Sequence, residues 1–195
     1  MRHRVYHAQG NYSEGLKKYQ ESLEIAEQLG DLSGKATDLN NIGMIYHDRG
    51  DYTKAMKRYE EALKIAEQLD DLSGKATNLN NIGEIYRAQG DYAKAMKQFK
   101  EALNIFEQLG DLSGKSNQLN NIGLIYRAQG NYIEALSRYE RALEIDEQLD
   151  SLSKKAIDLN NIGEIFRIQG KYPEALKRYE EALGIAKQLG DPREE

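Results

Sequence analysis

From residue 31 onward, apolar and small residues return every three or four positions, which is the spacing of one helix face. Leu32, Ala36, Leu39, Ile42, Gly43 and Tyr46 make a first stripe, and Tyr52, Ala55, Tyr59, Ala62, Leu63, Ala66 and Leu69 make a second. Asp31 and Asp51 precede the two stripes, where a carboxylate can accept the orphan N–H groups of a first turn. Gly50 stands between them, where a helix commonly ends in the left-handed region. The pattern predicts two helices per block. A Gly-Asp link is too short for a crossover, so successive helices are expected to be antiparallel neighbours.

The block then recurs. Asn41-Ile42-Gly43 returns as Asn81-Ile82-Gly83, Asn121-Ile122-Gly123 and Asn161-Ile162-Gly163, a period of 40, and residues 31–70 and 71–110 agree at 28 of 40 positions. One such unit cannot bury its apolar face alone, and stacked copies form a solenoid with an extended concave surface. The expected organisation is a single all-α array over 1–195. It comprises an incomplete repeat 1–30, full repeats 31–70, 71–110, 111–150 and 151–190, and a tail 191–195. Gly30, Gly90, Gly110, Gly130, Gly170 and Gly190 punctuate the same turns, with Asp70 and Asp150 replacing Gly at two of them.

Glycine inside a helix costs about 1 kcal/mol against alanine, so its recurrence asks for a reason. At Gly43, Gly83, Gly123 and Gly163 the expected reason is close approach of the partner helix. Ala55, Ala95, Ala135 and Ala175 would face that contact, with Tyr46, Tyr86, Tyr126 and Phe166 filling the space beside it. Gly34, Gly74 and Gly114 read as a frayed first turn, with Lys154 filling that position in the last unit.

Composition narrows the class further. Strand formers are sparse, and Pro173 and Pro192 are the only prolines. There is no cysteine, which excludes disulfides and thiolate metal sites. No apolar run is long enough to span a membrane or resembles a signal peptide, so a soluble, cytoplasmic setting is the default. The net charge of -5 argues against general affinity for nucleic acid.

At these residues the chain resembles the tetratricopeptide repeat family. The family's succession of a large apolar residue, a glycine, an aromatic, Gly-x-Tyr, alanine, aromatic and alanine reads here as Leu79, Ile82-Gly83, Tyr86, Gly90-Asp91-Tyr92, Ala95, Phe99 and Ala102. Standard members use 34 residues per repeat and this chain uses 40. The longer form is similar to the repeats of spindle-orientation adaptors and kinesin light chains. The resemblance implies a right-handed superhelical α-solenoid of antiparallel hairpins, without enzymatic activity or cofactor. It also implies a peptide or protein partner held in the groove lined by the first helix of each pair.

Periodicity places the following residues opposite the packing stripe: Asn40, Met44 and His47 in the first full unit, Asn80, Glu84 and Arg87 in the second, Asn120, Leu124 and Arg127 in the third, and Asn160, Glu164 and Arg167 in the fourth. The asparagine ladder suits a sequence-tolerant grip, since an amide both donates to and accepts from a peptide backbone. Inter-repeat packing is the alternative for it, and is the preferred reading for the adjacent Asn41, Asn81, Asn121 and Asn161. The arginines suit an acidic peptide. Glu84 and Glu164 lie within reach of Arg87 and Arg167 at i,i+3, which leaves Arg127 as the unneutralised cation, facing Leu124. The family's dicarboxylate clamp uses Lys at groove positions, and Lys is absent from those positions here.

Other chemistries find little footing. His3 and His7 are four apart, but two histidines are a weak zinc signal. No nucleophile, base and orienting residue occur in a recognisable order, so an enzyme is the least favoured reading. Tyr46, Tyr86 and Tyr126 belong to the packing stripe and are not free to stack on bases, while Asp48, Glu84 and Glu164 oppose phosphate. Bare apolar stripes at the ends, among them Leu183, Ile185, Ala186 and Leu189, give the expectation of homo-oligomers by end-to-end stacking. The competing reading of the whole chain is a structural, self-associating array or a fragment of a larger regulator.

Overall fold

The computed structural model describes residues 12–190. His3, His7 and the tail 191–195 lie outside the described residues. Among those residues all regular structure is helical. The helices are α1 (Tyr12–Leu29), α2 (Leu32–Asp48), α3 (Tyr52–Gln68), α4 (Leu72–Ala88), α5 (Tyr92–Leu109), α6 (Leu112–Ala128), α7 (Tyr132–Gln148), α8 (Leu152–Ile168) and α9 (Tyr172–Gly190). The fold class is an all-α, right-handed solenoid of paired antiparallel helices. The chain divides into two compact units, 1–105 and 106–195, with the division inside α5. In the first, α1 packs on α2, α2 on α3 and α3 on α4. In the second, α6 packs on α7, α7 on α8 and α8 on α9.

The turns follow from their residues. Gly50 adopts φ +75°, its N–H bonds to His47 O, and the next N–H, of Asp51, bonds to Tyr46 O. This doubly bonded ending satisfies two orphan carbonyls. Asp70 and Asp150 hold the same left-handed conformation, at φ +53° and +50°. Gly190, expected to punctuate, is instead the last residue of α9.

Capping corrects the expectation of frayed first turns at Gly34, Gly74 and Gly114. Those turns are helical, and each glycine N–H donates to the carboxylate of Asp31, Asp71 or Asp111 at 2.9 Å. A Cβ at Gly34 or Gly74 would overlap the capping carboxylate itself, and one at Gly114 would enter the Phe106 ring. Glycine suits the first two positions because an aspartate folds back over them, and the third because the Phe106 ring lies against it. In α8 the cap is Ser151, which makes no side-chain bond, and a residue with a full side chain, Lys154, takes the glycine position.

The mid-helix glycines face rings. A Cβ at Gly43 would lie 2.6 Å from the Tyr59 ring, at Gly83 2.6 Å from Phe99, at Gly123 2.5 Å from Tyr139 and at Gly163 2.8 Å from Tyr179. The partner at this close approach is thus the aromatic of the second helix, and not Ala55 and its equivalents. Those alanines are buried beside the same seam: Ala55 and Tyr59 share a core with Ile82 and Ile85, and Ala135 and Tyr139 share one with Ile162 and Ile165. Ile45, Ile85, Ile125 and Ile165 are buried as well, a column the stripe did not include. Leu69, expected to be internal, is 42% exposed.

Candidate functional site

The first-helix residues named above are placed by the packing of the opposite stripe. With Leu39, Ile42 and Ile45 buried, helical geometry turns Asn40, Met44 and His47 away from the core. Met44 is 39% exposed, and Ile157 and Ile168 on α8 are 54% and 39% exposed. Large apolar side chains therefore reach solvent on the helices that also carry the polar ladders. Leu124, half-buried, packs against the core around Ala135 and Ile162.

The asparagines form rungs within each unit. In the first, Asn81 Nδ2 donates to Asn40 Oδ1 at 2.8 Å, Asn80 Nδ2 donates to Asn81 Oδ1 at 3.2 Å, and Asn40 Nδ2 lies 3.8 Å from Met44 Sδ. In the second, Asn161 Nδ2 donates to Asn120 Oδ1 at 3.2 Å. Asn81 and Asn161 thus bond across to the preceding repeat. Their acceptors are Asn40 and Asn120, and Asn120 also donates its Nδ2 to Asp158, so both ends of that amide bond to the following repeat. Asn160 is exposed.

The charged positions are arranged in pairs. Arg87 Nη2 meets Glu84 Oε2 at 2.5 Å, and Arg167 meets Glu164 through Nε at 2.7 Å and Nη2 at 2.8 Å. Tyr179 Oη also donates to Glu164 at 3.1 Å. The Arg167 guanidinium, helped by that phenol, lowers the Glu164 carboxyl to about 2. The Arg127 charge lowers it slightly further. His47 Nδ1 is 3.5 Å from Asp48, and its ring lies 5.5 Å from that of Tyr52. Tyr46 and Tyr86 are half-buried against the first unit's core, under the ammonium groups of Lys54 and Lys94.

Two features were not anticipated. One is a cavity of about 260 Å³ in the first unit, between the N-terminal turns of α2 and α4 and the end of α3. Its lining includes Ser33, Thr37, Asn40, Ala66, Asp71 and Gly74. The other is a buried polar cluster in the second unit. Ser116 Oγ donates to Asp146 at 2.5 Å, and Asn120 Nδ2 donates to Asp158 at 2.5 Å. Both carboxyls are fully buried. Each has one oxygen without a hydrogen-bond donor, Asp146 Oδ1 and Asp158 Oδ2. The two carboxyls are close enough to act on each other. Burial first, and then the neighbouring Asp146, push the Asp158 carboxyl up to about 7 against the opposing effect of Asn120 and Lys154. A sequence signal for this cluster exists: the column Ala26, Ala66, Phe106 is broken by Asp146, and the column Ala36, Ala76, Ala156 is broken by Ser116.

Among the described residues no group of three or more His, Asp or Glu side chains is placed to hold a metal ion. Nor is any helix there long and apolar enough to cross a membrane.

Comparison with known proteins agrees with this geometry. A family model described as tetratricopeptide repeat matches residues 2–68, 39–108 and 115–188. No curated protein matches by sequence. Among solved structures, BtubC (BKLC) from P. vanneervenii is 24% identical, with a TM-score of 0.83 over 99% of this chain and 82% of its own. A putative kinesin light chain with nearly identical TPR-like repeats from Podosopora anserina is 15% identical, with a TM-score of 0.72 over 96% and 93%. The Rap conjugation gene regulator of plasmid pLS20, solved with the Phr* peptide, is 18% identical with a TM-score of 0.82, and this chain spans 52% of its length. At these identities the likeness is one of fold.

Proposed function

Because the chain belongs to the tetratricopeptide repeat family, we propose that it is a non-enzymatic scaffold that holds a peptide or protein segment against the first helices of its hairpins. The fold is one typical of such scaffolds, and the pLS20 Rap regulator is a chain of similar fold solved with a peptide. In this reading the repeats 31–70, 71–110, 111–150 and 151–190 work as one array in a cytoplasmic setting, and nucleic acid is not the ligand.

The observation that carries the reading is uneven variation. Gly43 and its equivalents are all glycine and the buried isoleucine column is uniform, whereas the outward column reads Met44, Glu84, Leu124, Glu164. Other columns vary as well, among them Ala66, Phe106 and Asp146, but this one lies on the first helices, beside a framework that is held constant. The proposed contact residues are Asn40, Met44 and His47, Asn80, Glu84 and Arg87, Asn120, Leu124 and Arg127, and Asn160, Glu164 and Arg167. Asn80 and Asn160 lend amides to the ligand backbone, and Met44 supplies apolar contact. Arg87, Arg127 and Arg167 favour ligand carboxylates, which can displace Glu84 and Glu164 at small cost, since exposed pairs contribute only a few tenths of a kcal/mol.

Calorimetry with peptides carrying carboxylates at several spacings tests this. Saturable binding that weakens at least tenfold in Arg127→Glu is expected. Affinity that does not respond to that change removes the acidic-ligand reading.

A further inference from the structure

The first unit's cavity has a filled counterpart eighty residues further on, and the contrast identifies what fits it. In the second unit Lys154 Nζ donates to Ser113 O at 3.1 Å and to Ser113 Oγ at 2.8 Å. In the first unit Ser33 stands in the place of Ser113, and Gly74 in the place of Lys154. Ser33 keeps the place of Ser113 with no lysine opposite its hydroxyl, although its carbonyl already accepts from Thr37 Oγ1, and the 260 Å³ cavity lies there.

The wall is rich in acceptors. Thr37 and Thr77 donate their hydroxyl hydrogens to Ser33 O and Ser73 O, at 3.0 and 2.9 Å, so neither hydroxyl is free to donate to a ligand. Asn78, 4% exposed, turns its Nδ2 to Gly74 O at 2.8 Å, and its Oδ1 has no donor. Asp71 brings a carboxylate to the wall where the second unit has the neutral Ser151. The first-turn amides of Gly34 and Gly74, which would otherwise attract an anion, already donate to Asp31 and Asp71. Nearby cations are committed elsewhere, Lys35 to Glu27 and Lys75 to Glu67 and Glu101. A group with several donors, no acceptor and a positive charge matches such a wall, and a primary ammonium is that group.

We propose that the cavity is a subsite for a primary ammonium group, the side chain of a lysine in the bound peptide, which enters between Ser33 and Asp71 as Lys154 enters against Ser113. This rests on the groove reading above. Asn40 belongs both to the cavity wall and to the proposed groove, so a peptide on the first helices can send a lysine into it.

The test is an NMR amide-shift titration of the full chain with Nα-acetyl-lysine methylamide, with Nα-acetyl-norleucine methylamide as the probe lacking the charge. Saturable shifts at Ser33, Gly74 and Thr77 are expected for the lysine probe alone. The double variant Asp71→Ser with Gly74→Lys copies the second unit's plug and should weaken that binding at least tenfold. Thr77→Ile, which copies Ile157, should also weaken it and covers the case in which the double variant does not fold. Absence of local shifts, equal shifts with the norleucine probe, or affinity unaltered in the plugged chain overturns the proposal. A silent lysine probe in a chain that still binds acidic peptides removes this subsite and leaves the groove reading standing.

Discussion

The two units are built from nearly the same hairpin, yet they treat one interior space in opposite ways. In the first unit the space between consecutive first helices is walled by Ala66, Gly74 and Asn78 and stays open. In the second the corresponding residues are Asp146, Lys154 and Asp158. There Lys154 bonds to Ser113, Asp146 accepts from Ser116, and Asp158 accepts from Asn120. The lesson is that the hairpin seam and this space are independent. Gly83 under Phe99 and Gly123 under Tyr139 are alike in both units, while the space beside the seam is free to be empty or filled.

The largest expected effect tests the shared part. Gly83→Leu and Gly123→Leu each force a branched side chain into a ring less than 3 Å from the first added carbon. Each should lose at least roughly 1–3 kcal/mol in urea denaturation, and the two losses should be similar. A loss in one unit only would mean that the seams differ.

Next comes the buried acid pair. Asp158 holds its proton to about pH 7 when folded, while an unfolded aspartate loses it near pH 4. The folded state therefore binds more protons across that interval. The term is fully favourable below the unfolded value, falls as pH rises toward 7, and levels off above it. Asp158→Asn keeps the shape, still accepts from Asn120, and can donate to Asp146 without titrating. The variant should be more stable than the parent by on the order of 1–3 kcal/mol at pH 8 and nearly equal to it at pH 4. Melting curves at both pH values measure the difference. In the first unit Asn78 stands in this place and Ala66 stands in that of Asp146, so the acid pair has no counterpart there.

A smaller effect links cap and plug. Gly74→Lys alone must evict the Asp71 carboxylate from its cap, a loss of about 1 kcal/mol. Adding Asp71→Ser should recover part of it, because Ser151 already coexists with Lys154 in α8. A double-mutant cycle that shows simple additivity would break the link between the two positions. Smallest of all, Arg167→Ala removes an exposed pair and should leave the melting curve almost unchanged, even though that pair lowers the Glu164 carboxyl.

Most of the helix scheme was legible because the signals are local and repeated. Asp51 caps where it stands in sequence, and Gly50 turns left-handed where an L side chain is disfavoured. What stayed hidden depended on side-chain direction. Gly74 looked like a weak point because its meaning lies in the rotamer of Asp71, three residues away. Asp146 passed as one more charge on a polar helix, since its burial depends on the helix packed over it. The asparagine columns were visible but not their division of labour, which depends on a partner 41 residues distant.

The amide rung between Asn81 and Asn40 has a mechanical consequence. The two hairpins also meet through an apolar core of Ala55, Tyr59, Ile82 and Ile85, and apolar contact has no direction that would set an axial position. A slip of one helical turn, about 5.4 Å, would part the two amides and leave half-buried polar groups unbonded, at about 1–3 kcal/mol for each group so stranded. The rung acts as a detent that fixes the phase of the hairpin 71–110 on the hairpin 31–70. Without it, one greasy face could creep along the next.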